Sequence, residues 1–187
     1  MAQRKGCGLA LVWVVSSALT WTVPFLMPPS PSSSLWPAAP IAIAAVLFAL
    51  VNWLFFRSDE RLAIIWPLVT LACWIAAAIA AGLWIPTLVK DVDPFVGIAA
   101  LMGVLIGGGS LAGIAQSVIL RCRPGLRLLW CGTSIVGWLV GWAVGSVALF
   151  TIGAAPVTGA IAGASYGILT GLVIPRISRP VELVAAA

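Results

Sequence analysis

The sequence predicts an all-α integral membrane protein: six transmembrane helices in one bundle, with the N- and C-termini in the cytoplasm. Three observations carry the prediction. Hydrophobic residues make up 62% of the 187 and charged residues 8%, with a mean hydropathy of +1.15, where a soluble domain carries roughly 25% charge. Six apolar runs of about span length, each bounded by charge or proline, contain no Asp, Glu, Lys, Arg or His in their interiors. When the runs are threaded through a membrane, nine of the ten Lys and Arg residues fall on one side and only Lys90 on the other. The positive-inside rule requires this of an even number of spans. Continuous runs argue against a β-barrel, whose strands would alternate, and no room is left for a soluble domain beside the spans.

The first run, Cys7 to Met27, follows Arg4 and Lys5 as a secretory signal would. Its full span length, and the Pro24, Phe25 and Met27 where small residues would be cleaved, mark it instead as a retained helix. Outside, MPPSPSSSLWP (residues 27–37) favours an extended, polyproline-like strand laid against the membrane by Leu35 and Trp36. The second and third runs, Ala38 to Phe56 and Leu62 to Ile85, are joined by an inner turn in which Arg57, Asp59, Glu60 and Arg61 neutralise one another and cap helix ends. Pro67 lies one turn into the third run and kinks it modestly. Thr87 to Phe95, with Lys90, Asp91, Asp93 and Pro94, is an outer hinge between halves of unlike composition. Three of 19 glycines (Gly6, Gly8 and Gly82) but seven of ten tryptophans precede residue 95. Within a single membrane domain, residues 1–86 thus read as three bulky Trp-rich helices, and residues 96–187 as three Gly-rich helices with a short basic tail.

The fourth, fifth and sixth runs, Val96 to Leu120, Leu128 to Phe150 and Val157 to Ile174, carry glycine-zipper faces. GAIAGASYGILTG places Gly159, Gly163, Gly167 and Gly171 four apart; Gly137, Gly141 and Gly145 repeat the spacing in the fifth run, and Gly109, Gly113 and Ser117 in the fourth. Each interior Gly costs about 1 kcal/mol in a soluble helix. In lipid, small residues let backbones approach, and dispersion with weak Cα–H···O bonds holds the helices together. The fourth and sixth runs share a direction, so their glycine faces are expected to meet, with the fifth antiparallel against both. A faint repeat at an offset of 54 aligns GIAQSVILRCRP (113–124) with GILTGLVIPRIS (167–178), pairing Gly109 with Gly163 and Gly113 with Gly167. Trp21, Trp36 and Trp84 are expected in an outer aromatic belt and Trp53, Trp66 and Trp130 in an inner one, with Trp13, Trp74, Trp138 and Trp142 deeper.

The pattern G-x-x-Q-x-x-x-L-R at Gly113 to Arg121, followed by an inner loop with Pro and Gly and then W-x-x-x-S-x-x-G-W-x-x-G at Trp130 to Gly141, resembles uncharacterised multi-span membrane proteins of cyanobacteria and Chloroflexi. The resemblance spans residues 105–175 and implies a membrane-helix fold with hardly any function attached. Ser117 stands where those proteins usually have Trp, and Thr170 replaces Gln in the second repeat.

The chemistry is sparse. Metal, haem and pigment sites in membrane bundles generally use His, and the chain has none, so no cofactor is expected. Cys7, Cys73, Cys122 and Cys131 fall in the membrane or on its reducing side, without zinc spacing or partners. GGGSLAG (107–113) lacks the GK[ST] ending of a phosphate loop and sits inside an apolar run. Spans without ionisable groups argue against proton-coupled transport and intramembrane hydrolysis. The net charge of +5 serves topology and not nucleic acid. The expected role is therefore a non-catalytic integral subunit or assembly partner of a larger membrane complex, its partners being lipids and either other membrane subunits or further copies. The alternative is a channel or facilitator for a small neutral solute, lined by Asn52, Gln116, Thr133, Ser134 and Thr170. A weaker alternative is a lipid or hydrophobic-ligand binder, using buried tryptophans and the inner loop RCRPGLR. There Arg121, Arg123 and Arg127 would hold anionic headgroups at about 1 kcal/mol each, or an acidic partner face. The bacterial cytoplasmic membrane is the default location; a thylakoid would give the same signals.

Overall fold

The computed structural model describes residues 2–26, 38–57, 59–89, 94–120, 122 and 124–177. Helices α1 (Ala2–Leu26), α2 (Ala38–Phe56), α3 (Glu60–Val89), α4 (Pro94–Ile119), α5 (Pro124–Ile152), α6 (Ala155–Gly171) and the single turn α7 (Ile174–Ile177) follow one another, with no strand among the described residues. The protein is all-α. Among the described residues, two helical stretches are long and apolar enough to cross a membrane, Glu60–Leu83 and Pro124–Ile152; shorter apolar stretches cover Gly8–Val23, Ile41–Phe56 and Gly103–Ile119.

Helix ends have local causes. The Leu62 N–H donates to Asp59 Oδ1 at 3.0 Å, which caps α3. Pro94 and Pro124 open α4 and α5, where a missing N–H loses nothing. Helix α5 stops at Gly153, whose φ is +70° and whose N–H donates to the Leu149 carbonyl at 3.0 Å. Nothing would crowd a Cβ there, so backbone conformation alone opposes a side chain. Gly153→Ala is expected to destabilise the protein by about 1 kcal/mol, read as a lower unfolding midpoint in detergent.

The helices close into a ring. Each packs on its neighbour in chain order, and α6 returns against α1. Helices α1, α3 and α5 run parallel. Trp13 meets Trp130 and Trp21 meets Trp138 between α1 and α5; Trp66 meets Trp130 and Trp74 meets Trp138 between α3 and α5. The even-numbered helices run the other way. The expected meeting of the fourth and sixth helices does not occur: α6 presents Gly163, Gly167 and Gly171 to α1, and α5 stands between α4 and α6. In a ring of alternating direction, parallel helices are never nearest neighbours.

The ring is three versions of one antiparallel pair. The pattern L-x3-W-x3-[ST]-x3-W occurs as Leu9, Trp13, Ser17 and Trp21 on α1, as Leu62, Trp66, Thr70 and Trp74 on α3, and as Leu126, Trp130, Ser134 and Trp138 on α5. The facing helices carry two small residues, a hydrogen-bond acceptor and a large apolar residue at matching spacing. These are Ala45, Ala49, Asn52 and Phe56; Gly109, Gly113, Gln116 and, just past the end of α4, Leu120; and Gly163, Gly167, Thr170 and, in the following turn α7, Ile174. Phe56, Leu120 and Ile174 are all buried. The pairs are α2 with α3, α4 with α5, and α6 with α1, so the third is assembled from the two ends of the helical array. The repeat at an offset of 54 is one leg of this triplication.

The core is apolar, and so is much of the outer surface. Leu11, Leu50, Ile64, Val118, Phe150 and Ile168, one from each of α1 to α6, point outward and are exposed, whereas all the described tryptophans but Trp53 turn in. Trp66 and Trp130, expected in the inner belt, are 0% exposed, and Trp21, expected in the outer one, is 7% exposed. The repeat explains the correction, because these three occupy the positions that face the bundle axis. Trp53 stands at the surface; Trp36 and Trp84 lie outside the residues whose side chains are described.

Candidate functional site

The same bond ties each pair. The indole N–H of Trp66 donates to Asn52 Oδ1 at 3.1 Å, that of Trp130 to Gln116 Oε1 at 3.2 Å, and that of Trp13 to Thr170 Oγ1 at 2.8 Å. A buried indole N–H needs an acceptor, and in an apolar interior leaving it without one is costly. The acceptors differ in what they do next. Asn52 Nδ2 returns to the Phe48 carbonyl at 2.6 Å, and the Thr170 hydroxyl donates to the Tyr166 carbonyl at 2.8 Å. Gln116 Nε2 instead donates to Thr70 Oγ1 at 2.7 Å, and Thr70 donates to the Trp66 carbonyl at 2.8 Å. Gln116 therefore joins the α4–α5 pair to the α2–α3 pair. Gln116→Leu is expected to lower stability by about 1 kcal/mol or more, since it strands the Trp130 N–H, and Asn52→Leu to act within one pair alone; unfolding titrations of the two variants check this.

Ser17, Thr70 and Ser134, all 0% exposed, form a hydroxyl layer between two layers of tryptophan. On one side, Trp130 has its ring centroid 5.2 Å from Trp66 and 6.3 Å from Trp13; on the other, Trp138 lies 4.2 Å from Trp21 and 4.9 Å from Trp74. These rings fill the axis. Tyr166 reaches in from α6, its ring 5.2 Å from Trp138 and 5.8 Å from Trp21. Its hydroxyl lies beside Ser134, Thr170 and Trp138, yet neither Ser134 Oγ nor Ser17 Oγ has a partner in hydrogen-bonding geometry.

The small residues sit against these layers. A Cβ at Gly109 would overlap the Trp138 ring, and one at Gly113 would meet Ser134 Cβ at 2.5 Å. At Gly163 it would meet the Ser17 carbonyl oxygen at 2.5 Å, at Gly167 the Val14 Cα at 2.8 Å, and at Gly171 the Trp13 ring at 3.4 Å. Gly137, Gly141 and Gly145 face α6, with Tyr166 at 3.0 Å, the Ala162 carbonyl oxygen at 2.9 Å and Ala162 Cβ at 2.9 Å from the added atom. Gly159 is buried, and Ser117 returns its hydroxyl to the Ile114 carbonyl at 2.6 Å.

The five residues considered as a polar path are not brought together. Asn52 lies between α2 and α3, Gln116 among α3, α4 and α5, Thr170 between α6 and α1, and Ser134 at the axis. Thr133 donates to the Leu129 and Trp130 carbonyls of its own helix. Of the three arginines between α4 and the start of α5, Arg127 is exposed, while Arg121 and Arg123 lie outside the described residues. Cys73, Cys122 and Cys131 are free thiols. Burial pushes the Cys122 thiol up, and Arg127 pulls it partly back. Maleimide labelling of Cys122 should therefore keep accelerating with pH beyond the point where an exposed thiol levels off, and Arg127→Gln should slow it further.

The sequence reading overlooked Trp13, Trp66, Thr70 and Tyr166 as members of this centre. Aligning the chain on its own tryptophans would have found the first three. Compared with protein-family models, with curated proteins and with solved structures, the chain gives no match.

Proposed function

We propose that the protein is a six-span integral membrane bundle, termini inside, that serves as a non-catalytic subunit or assembly partner of a larger membrane complex. The observation that carries this reading is the filled axis. Tryptophan rings occupy it at two levels, and Asn52, Thr70, Gln116 and Thr170 are fixed in helix pairing, so the interior is built for cohesion. The outward faces of all six long helices are apolar, which suits lipid and other spans alike. The polar path of a solute facilitator finds less support, because its candidate residues point to separate interfaces.

Extraction of the tagged protein from its own cells in mild detergent, with the mass of every co-purifying subunit measured, tests the proposal. A fixed stoichiometry with other membrane chains is expected. A particle of this chain and lipid alone, conducting a neutral solute in liposomes, would overturn it.

A further inference from the structure

We propose that the hydroxyl layer encloses an internal water molecule, bound by Ser17, Ser134 and Tyr166. The two serines occupy equivalent positions on the parallel helices α1 and α5, at a level fixed from both sides by the contacts of Trp13 with Trp130 and of Trp21 with Trp138. Both are fully buried, and both hydroxyls lack a protein partner. Their counterpart Thr70 is satisfied twice over, accepting from Gln116 and donating to Trp66. The asymmetry has a simple source: only α4 carries an acceptor long enough to reach the hydroxyl of the neighbouring pair, whereas Asn52 bonds its own helix and Thr170 has no amide. Two of three hydroxyls in one layer are thus left open, and the Tyr166 ring, 5.2 Å from Trp138 and 5.8 Å from Trp21 on the same two helices, carries its hydroxyl next to Ser134. Three hydroxyls offer the two to four polar partners that a buried water requires. Tryptophan closes the layer on both sides, so the water is held and not conducted. The inference stands independently of any partner subunit.

Solid-state NMR of the protein in lipid bilayers, with magnetisation transferred from water, tests it. Transfer to Ser17, Ser134 and Tyr166 is expected in the native chain, and its loss at Ser17 and Tyr166 in Ser134→Ala. Absence of transfer to these residues, while Arg57 in the exposed turn shows it, would mean that each serine has turned onto a carbonyl of its own helix and would overturn the proposal. The unfolding midpoint gives a second readout. Ser134→Ala should fall by about 3 °C if the water's bonds are lost, whereas a midpoint unchanged or raised means a dry, unpaired hydroxyl.

Discussion

Gly163→Leu is expected to prevent the bundle from closing. A Cβ at this position meets main chain on α1, the Ser17 carbonyl oxygen at 2.5 Å and Ala18 Cα at 2.9 Å. Main chain cannot rotate aside, so α1 would have to withdraw along its length. With it would go the Trp13 bond to Thr170 and the stacking of Trp21 on Trp138. Overpacking alone costs about 1–3 kcal/mol, and the lost contacts take the total beyond that. Denaturant titration in detergent micelles should find the variant largely unfolded. Gly107→Leu is the control: nothing lies within 4 Å of a Cβ there, and its midpoint should match the native one. Equal behaviour of the two variants would refute the pairing of α6 with α1.

Trp130→Ala should be the most damaging substitution on the axis. The ring is fully buried, touches both Trp13 and Trp66, and supplies the donor to Gln116. Emptying such a site costs about 3–5 kcal/mol. Trp130→Phe separates the two contributions, keeping most of the ring and losing the N–H, and should cost about 1 kcal/mol. Because Trp13 and Trp66 occupy the same place in their own pairs, Phe in their positions should cost a similar amount. A large effect at one tryptophan and none at the other two would contradict the triplication.

The apolar runs located the six long helices because each run is long, continuous and uncharged, where a strand would be short or alternating. The amides were legible as notable residues but not in their role: Asn52 and Gln116, offered as lining of a polar path, instead bond across to neighbouring helices. The tryptophans misled, because the residue suits a membrane interface and a bundle axis equally. Only register distinguishes the two, and that register lay in a pattern repeated at unequal intervals. The acceptor position hid the repeat further, since Asn52, Gln116 and Thr170 share the ability to accept a bond and little else. Glycine spacing identified the close-packing faces without identifying their partners. That choice belongs to the ring as a whole, where direction alternates and places α1 beside α6.

This last pairing bears on how the protein is made. Trp13 and Thr170 are 157 residues apart, so a ribosome adding about 5–20 residues per second completes α1 many seconds before its partner exists. During that interval the two inner pairs can form as they emerge, while α1 waits with an unmet indole and an unfilled groove.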